Sequence, residues 1–301
     1  MDLLRPIYLR ALAWKHGGPP DPAAYPFALP AVAALPSISF DAPVTILVGE
    51  NGTGKSTLLE AAAVLMGMNA EGGSENMRFA TRPSESPLWK SLKPVRGAFY
   101  PDTCYFLRAE SFYNVATEVE RLSDDPSGPL TSHGPRSLHE MSHGESFLAL
   151  ILNRFRARGL YILDEPEAAL SPLRQLALLR RMKDLVEDRC QFILATHAPI
   201  VMAYPGAAIY ELSEGGARRV AWEDVEHVRL TRAVLRAPER ALAELFAGPR
   251  DEGPAEDDDP GWERAEGRKL GKVPRPEERE VERKADPEAD GGGRPRRRKR
   301  R

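Results

Sequence analysis

The stretch VGENGTGKST, residues 48–57, decides the fold. Gly49, Gly54, Lys55 and Ser56 satisfy the pattern GxxxxGK[ST]; the apolar run Val44–Val48 leads in, and the Ala- and Leu-rich KSTLLEAAAVLMG leads out. A strand, a glycine loop and a helix start in that order make a cradle for phosphate. Glycines let successive backbone N–H groups converge on phosphate oxygens, and the helix N-terminus adds its positive end. On this reading Asn51, Gly52, Gly54, Lys55, Ser56 and Thr57 surround the phosphates of a nucleotide. Lys55 reaches the β- and γ-phosphates, and the Ser56 hydroxyl ligates Mg²⁺.

Outward from the loop, the runs VTILV, CYFL, LYIL, QFILAT and AAIYEL alternate with the helical patterns GESFLALILNRFRA and SPLRQLALLRRMKDLVED. This alternation predicts an α/β fold of βαβ units, a largely parallel sheet flanked by helices. With 301 residues, 42% of them hydrophobic, the chain can build one core of this kind, expected over residues 1–247. From residue 248 apolar residues become sparse and Pro, Gly and charge abundant, so 248–301 is expected to be a disordered tail ending in the basic cluster RPRRRKRR. A net charge of -2 provides no global attraction to nucleic acid or membrane, which leaves any such contact to a local patch. Two cysteines, Cys104 and Cys190, lie far apart in apolar surroundings and fit buried thiols better than a disulfide framework. With no signal-peptide pattern and no apolar run long enough to span a bilayer, the expected location is the cytoplasm, without direct membrane insertion.

Three further stretches carry chemistry. In GLYILDEPEAALSP, residues 159–172, an apolar strand ends in Asp164 and Glu165. Beside a phosphate loop, the first acid is expected to hold Mg²⁺ and the second to orient or deprotonate the attacking water. Glu167 reads as a surface charge. In EMSHGESFLALIL, Ser142 and Glu145 form S-x-x-E before an apolar helix, the pattern of a capping box. The same Ser-capped, Gly-containing helix start is also an anion site, so the two readings are compatible. In QFILATHAP, His197 stands at the end of another apolar strand. A lone histidine there is usually structural, but its place after the Asp-Glu strand favours sensing of a γ-phosphate.

Together GENGTGKSTLLE, SHGES, LDEPEAALSP and ATHAPI resemble the ABC-type ATPase superfamily, most closely the stand-alone bacterial "AAA family ATPase" group related to RecF and SMC-type heads. The resemblance spans about residues 5 to 245. It implies a P-loop ATPase head that binds ATP and Mg²⁺, with Ser56 and Asp164 as metal ligands and Lys55, Glu165 and His197 as catalytic residues. It also implies a head-to-tail homodimer sandwiching two ATP molecules, in which Lys55, Ser56, Asp164, Glu165 and His197 of one subunit face Ser142 and Gly144 of the other. The chain departs from the family at three points. The familiar LSGGQ reads MSHGE, placing His143 and Glu145 where a glycine and a glutamine are usual. Ser171 stands where an aspartate is expected after the acid strand. At the corner CYFLRAESFYN, Glu110 is the available candidate for the usual glutamine, as a group near Mg²⁺ or as a helix cap.

Only 87 residues separate Lys55 from Ser142, and no sustained heptads occupy them, so no long coiled-coil arm is expected. The functional expectation is an ATP-dependent dimerisation switch acting with DNA or with a DNA-processing or defence partner. The alternatives are the ATPase subunit of a membrane transporter and a low-turnover ATP sensor.

Overall fold

The computed structural model describes residues 6–74, 86–110, 112, 117 and 141–247. The tail expected over 248–301 lies outside the described residues. The strands are β1 (Leu9–Trp14), β2 (Val44–Gly49), β3 (Leu92–Arg96), β4 (Thr103–Arg108), β5 (Gly159–Asp164), β6 (Gln191–Ala195), β7 (Ala208–Ser213) and β8 (Gly216–Val220). The helices are α1 (Pro30–Ala33), α2 (Lys55–Leu65), α3 (Leu88–Ser91), α4 (His143–Arg154), α5 (Pro172–Glu187), α6 (Pro199–Met202), α7 (Glu226–Arg236) and α8 (Pro238–Ala247).

Six strands form one sheet in the order β4-β5-β6-β2-β7-β8. Every neighbouring pair is parallel except the β7/β8 hairpin at the edge. Strands β2, β5 and β6 are buried along their whole length, as befits parallel strands covered on both faces. Successive residues serve opposite faces. Ile46, Tyr161, Phe192 and Leu194 join a core with Phe147, Phe155 and Leu178 from the α4 and α5 side. Leu47, Ile162, Ile193 and Ala195 join a second core with Leu58, Leu59 and Ala62 of α2. Phe155 stacks on Tyr161 with ring centroids 4.0 Å apart, closing the end of α4 onto the sheet.

The expected mixed α/β architecture with a largely parallel sheet is therefore the observed one. A separate two-stranded antiparallel ribbon of β1 and β3, outside the βαβ alternation of the sequence, pairs Leu9 with Arg96 and Trp14 with Leu92. One buried side chain ties this ribbon to the sheet. Gln191 accepts the backbone N–H groups of Tyr8 and Leu9 at 2.8 and 3.0 Å, and its amide donates to the carbonyls of Leu9 and Phe40 at 2.8 and 2.9 Å. All four bonds satisfy buried polar groups that would otherwise be costly to desolvate.

Candidate nucleotide site

Parallel strands present their C-terminal ends on one edge of the sheet, and loops gather there. Adjacent strands β4, β5, β6 and β2 deliver in turn Arg108, Asp164 with Glu165, His197, and the loop after Gly49. Register aligns them closely: Asp164 lies opposite Arg108 on one side and Ala195 on the other.

Gly54 sits in the left-handed region at φ 90°, and a Cβ there would stand 2.8 Å from the Leu29 Cβ, so both backbone and packing demand glycine. Directly after it Lys55 opens α2 and is only 4% exposed. Its ammonium donates to the carbonyls of Gly49 and Glu50 at 2.7 and 2.9 Å. Burial lowers its pKa, while Glu165, Asp164, Glu167 and Glu50 oppose that shift by favouring the cation. The lysine is thus held on the loop's own oxygens in a field that keeps its positive charge useful for phosphate. A hollow of about 260 Å³ beside it is lined by residues that include Asn51, Gly52, Gly54, Ser56 and Thr57.

The Ser56 hydroxyl donates to Asp164 Oδ1 at 3.0 Å, bridging 108 residues of sequence. Asp164 is 5% exposed, and its second oxygen pairs with Arg108 Nε at 3.4 Å. Arg108 is anchored from behind by Glu60 of α2 at 2.9 Å. A hydroxyl and a desolvated carboxylate in contact form a hard-oxygen pair suited to Mg²⁺, which takes few protein ligands and keeps water for the rest. These two residues would hold such an ion.

Burial raises the Asp164 carboxyl from 3.8 to about 6, with Arg108 and the Ser56 hydroxyl pulling in the other direction. A raised acid favours the folded state while protonated, so this contribution is fully present below the unfolded value and is lost as pH rises through about 6. In metal- and nucleotide-free protein, Asp164→Asn, which buries no charge, should therefore gain on the wild type as pH rises. The gain should be on the order of 2 kcal/mol between about pH 4.5 and pH 7.5. Thermal melts in chelator at the two pH values measure it, and a stability gap that stays constant would contradict the assignment.

Glu165 takes a left-handed conformation, φ 50° and ψ 52°, with its N–H on the Ala195 carbonyl at 2.9 Å. That strained turn throws its side chain, 39% exposed, toward the mouth of the site. His197 Nε2 stands 3.7 Å from Glu165 Oε1. These two acids and the histidine converge as the motifs imply. Glu167 is corrected: it is not a surface charge. Its carboxylate accepts the His197 N–H at 2.5 Å, and burial raises its pKa against that hydrogen bond. Proline at 166 starts a single 3-10 turn after Glu165, and this turn carries Glu167 back under the histidine loop.

Glu110 is 86% exposed and, among the described residues, pairs with Arg108 Nη2 at 3.8 Å. Arg108 occupies the flank of Asp164. It was not singled out in the sequence, although its place as the last residue of an apolar strand in CYFLR was the available signal.

Ser142 and Gly144 stand apart. The Ser142 N–H donates to Glu145 Oε2 at 3.1 Å in a capping box, so the helix-start reading holds. Arg174 of α5 bonds Glu145 at 2.9 Å and Ser142 Oγ at 3.4 Å. The carboxylate at the position of the familiar glutamine therefore has a partner within its own chain. A Cβ on Gly144 would meet the Ala169 carbonyl oxygen at 2.4 Å, so glycine permits α4 to abut the turn that follows Glu165. Ser171 is the N-cap residue of α5. Among the described residues, no hydrogen bond or ion pair joins Ser142 to the phosphate loop.

Two stretches of the chain match known protein families. Residues 34–87, which hold the loop, match a family described as "AAA domain". Residues 118–203, which hold the capped helix, the acid strand and His197, match one described as "AAA domain, putative AbiEii toxin, Type IV TA system". A Rhizobium etli protein named "Putative ribose/galactose/methyl galactoside import ATP-binding protein 1" is 26% identical over 195 residues, which cover 56% of this chain and 37% of that protein. The chain thus matches little more than a third of that relative's length. Similar solved structures include an SMC head domain from Thermotoga maritima, 19% identical with a TM-score of 0.35 over 61% of this chain and 91% of that one. Another is cbiO1 from Clostridium perfringens, part of the ABC transporter complex cbiONQ, 17% identical with a TM-score of 0.36 over 67% and 87%. With AAA-domain matches at both the phosphate loop and the acid strand, and with Lys55, Ser56 and Asp164 meeting on the C-terminal edge of a parallel sheet, the chain is similar to AAA-domain P-loop ATPases.

Proposed function

We propose that the protein is an ATP-dependent dimerisation switch that hydrolyses ATP when a second copy closes over the site. The observation that carries this reading is the exposure of Glu165. A general base 39% exposed at the rim of a hollow has bulk water beside it, and hydrolytic sites work best when closure excludes that water. Ser142 is exposed on the same chain and, among the described residues, makes no hydrogen bond to its own phosphate loop, which leaves it available to a partner copy.

In this scheme Lys55 and the loop amides bind the triphosphate, while Ser56 and Asp164 would hold Mg²⁺, which would neutralise negative charge on the phosphates. Glu165 accepts the proton of the water that attacks the γ-phosphorus, and ADP leaves. His197 donates to the γ-phosphate, and Ser142 with Gly144 of the second copy covers its far side. Hydrolysis then loosens the dimer.

The proposed setting is the cytoplasm, and the proposed client is DNA or a DNA-processing or defence partner, met by the seven basic residues in RPRRRKRR. The test is ATP turnover by the full chain and by a form ending at residue 293, each with and without duplex DNA across a salt series. Turnover should rise with DNA for the full chain, and this response should weaken with salt and with loss of the basic cluster. Absence of any DNA response would remove nucleic acid as the client.

The Rhizobium etli match favours a second reading, a transporter ATPase subunit. That reading expects association with a membrane permease and no response to DNA, so the same assay combined with membrane co-purification separates the two.

A further inference from the structure

Helix α7 brings a second histidine to the site. His227 Nε2 lies 3.3 Å from His197 Nδ1, and the two rings meet edge-on at 74° with centroids 5.1 Å apart. His227 also lines the open pocket of about 490 Å³ shared by Glu50, Asn51, Glu165 and His197. Its placement is firm. Val225 and Val228, on either side, are fully buried in the core of that sheet face, the Glu226 N–H is held by Glu211 at 3.1 Å, and the Trp222 indole donates to the Pro199 carbonyl at 3.1 Å.

Two imidazole nitrogens at hydrogen-bond distance must differ: one carries the proton and the other accepts it. The remaining nitrogen of His197, Nε2, is closed off from solvent and has no hydrogen-bond partner among the described residues, although it faces Glu165 Oε1 at 3.7 Å. A buried polar atom left unpaired beside a catalytic acid indicates a missing partner. Building on the ATPase site proposed above, we infer that His227 is a positioning residue that donates Nε2–H to His197 Nδ1 and so commits His197 to the tautomer whose Nε2–H faces Glu165 and would be the donor to a γ-phosphate. His197 is neutral for this purpose at ordinary pH, because burial, then Lys55 and His227, lower its pKa to about 4. A neutral ring has a single N–H, so without His227 that proton can settle on Nδ1 and leave Nε2 as an acceptor, which would repel a phosphate oxygen. Among the described residues no backbone group bonds the His197 ring, and its own N–H is taken by Glu167.

Two variants separate positioning from packing. His227→Phe keeps an aromatic ring but has no donor; His227→Gln supplies an amide N–H close to the place of Nε2–H. The first readout is the His197 tautomer in nucleotide-free protein, from side-chain ¹⁵N shifts. It should be Nε2–H in the wild type and in His227→Gln, and mixed or Nδ1–H in His227→Phe. The second readout is steady-state turnover. His227→Phe should lower kcat roughly 10- to 100-fold, the scale seen when a partner that orients a functional histidine is lost. KM for ATP should hardly change, and His227→Gln should recover most of kcat. An Nδ1–H tautomer in the wild type, or equal kcat in the two variants with equal melting temperatures, overturns the inference. If the wild type shows no turnover, the hydrolysis reading fails on its own, and the tautomer change between variants still decides whether His227 orients His197.

Discussion

Glu165→Gln is expected to bind ATP as the wild type does and to hydrolyse it at least about 100-fold more slowly, the usual scale for losing a general base. The exchange is nearly isosteric. It leaves the left-handed turn at 165 and the N–H bond to Ala195 in place, and removes only the acceptor for a proton. Because hydrolysis is what reopens the proposed dimer, Mg²⁺-ATP should also shift the variant from monomer to dimer in light scattering. A variant that turns over normally and stays monomeric with ATP would remove Glu165 as the base and the switch with it.

The second large effect tests whether the site is composite. Ser142→Arg and Lys55→Ala chains should each be inactive, because in a homodimer either lesion falls in both sites. Mixing the two should restore activity at one of the two sites of a heterodimer, which pairs the intact loop of the first chain with the intact Ser142 of the second. A purely local role for Ser142 leads elsewhere. Its backbone bond to Glu145 and the Arg174 contact would then be all it does, and replacement would cost about 1 kcal/mol of stability as a lost cap, with hydrolysis retained. A folded, fully active Ser142→Arg protein would reduce the molecule to a monomeric ATPase.

Much of the site was legible because each of its motifs lies at a junction that local chemistry marks. Lys55 and Ser56 follow a glycine that must adopt positive φ; Asp164, Glu165 and His197 follow runs of apolar residues long enough to be buried strands. Other members were hidden for a physical reason. Arg108 is marked only as the end of an apolar strand, while Glu167 and His227 owe their roles to what stands across from them, and no pattern within their own segments records it. Glu167 reads as solvated from PEAA alone and is covered only because the 3-10 turn folds it beneath the loop of His197. The β1/β3 ribbon was missed likewise: Pro94 and charged neighbours blur its alternation, and its anchor is Gln191, more than 180 residues from Tyr8 and Leu9.

The sequence by itself determined the strand–loop–helix cradle, the acid-ended strand, the histidine-ended strand and the α/β alternation, since glycine conformation, helix capping and unbroken apolar runs are properties of contiguous residues. Only the tertiary structure decided that β6 lies between β5 and β2, which sets Asp164 against Ser56 and His197 against both Glu165 and His227. Strand order is a contest among non-local pairings, won by the total burial of two core faces; any one strand, read alone, is equally apolar wherever it is placed.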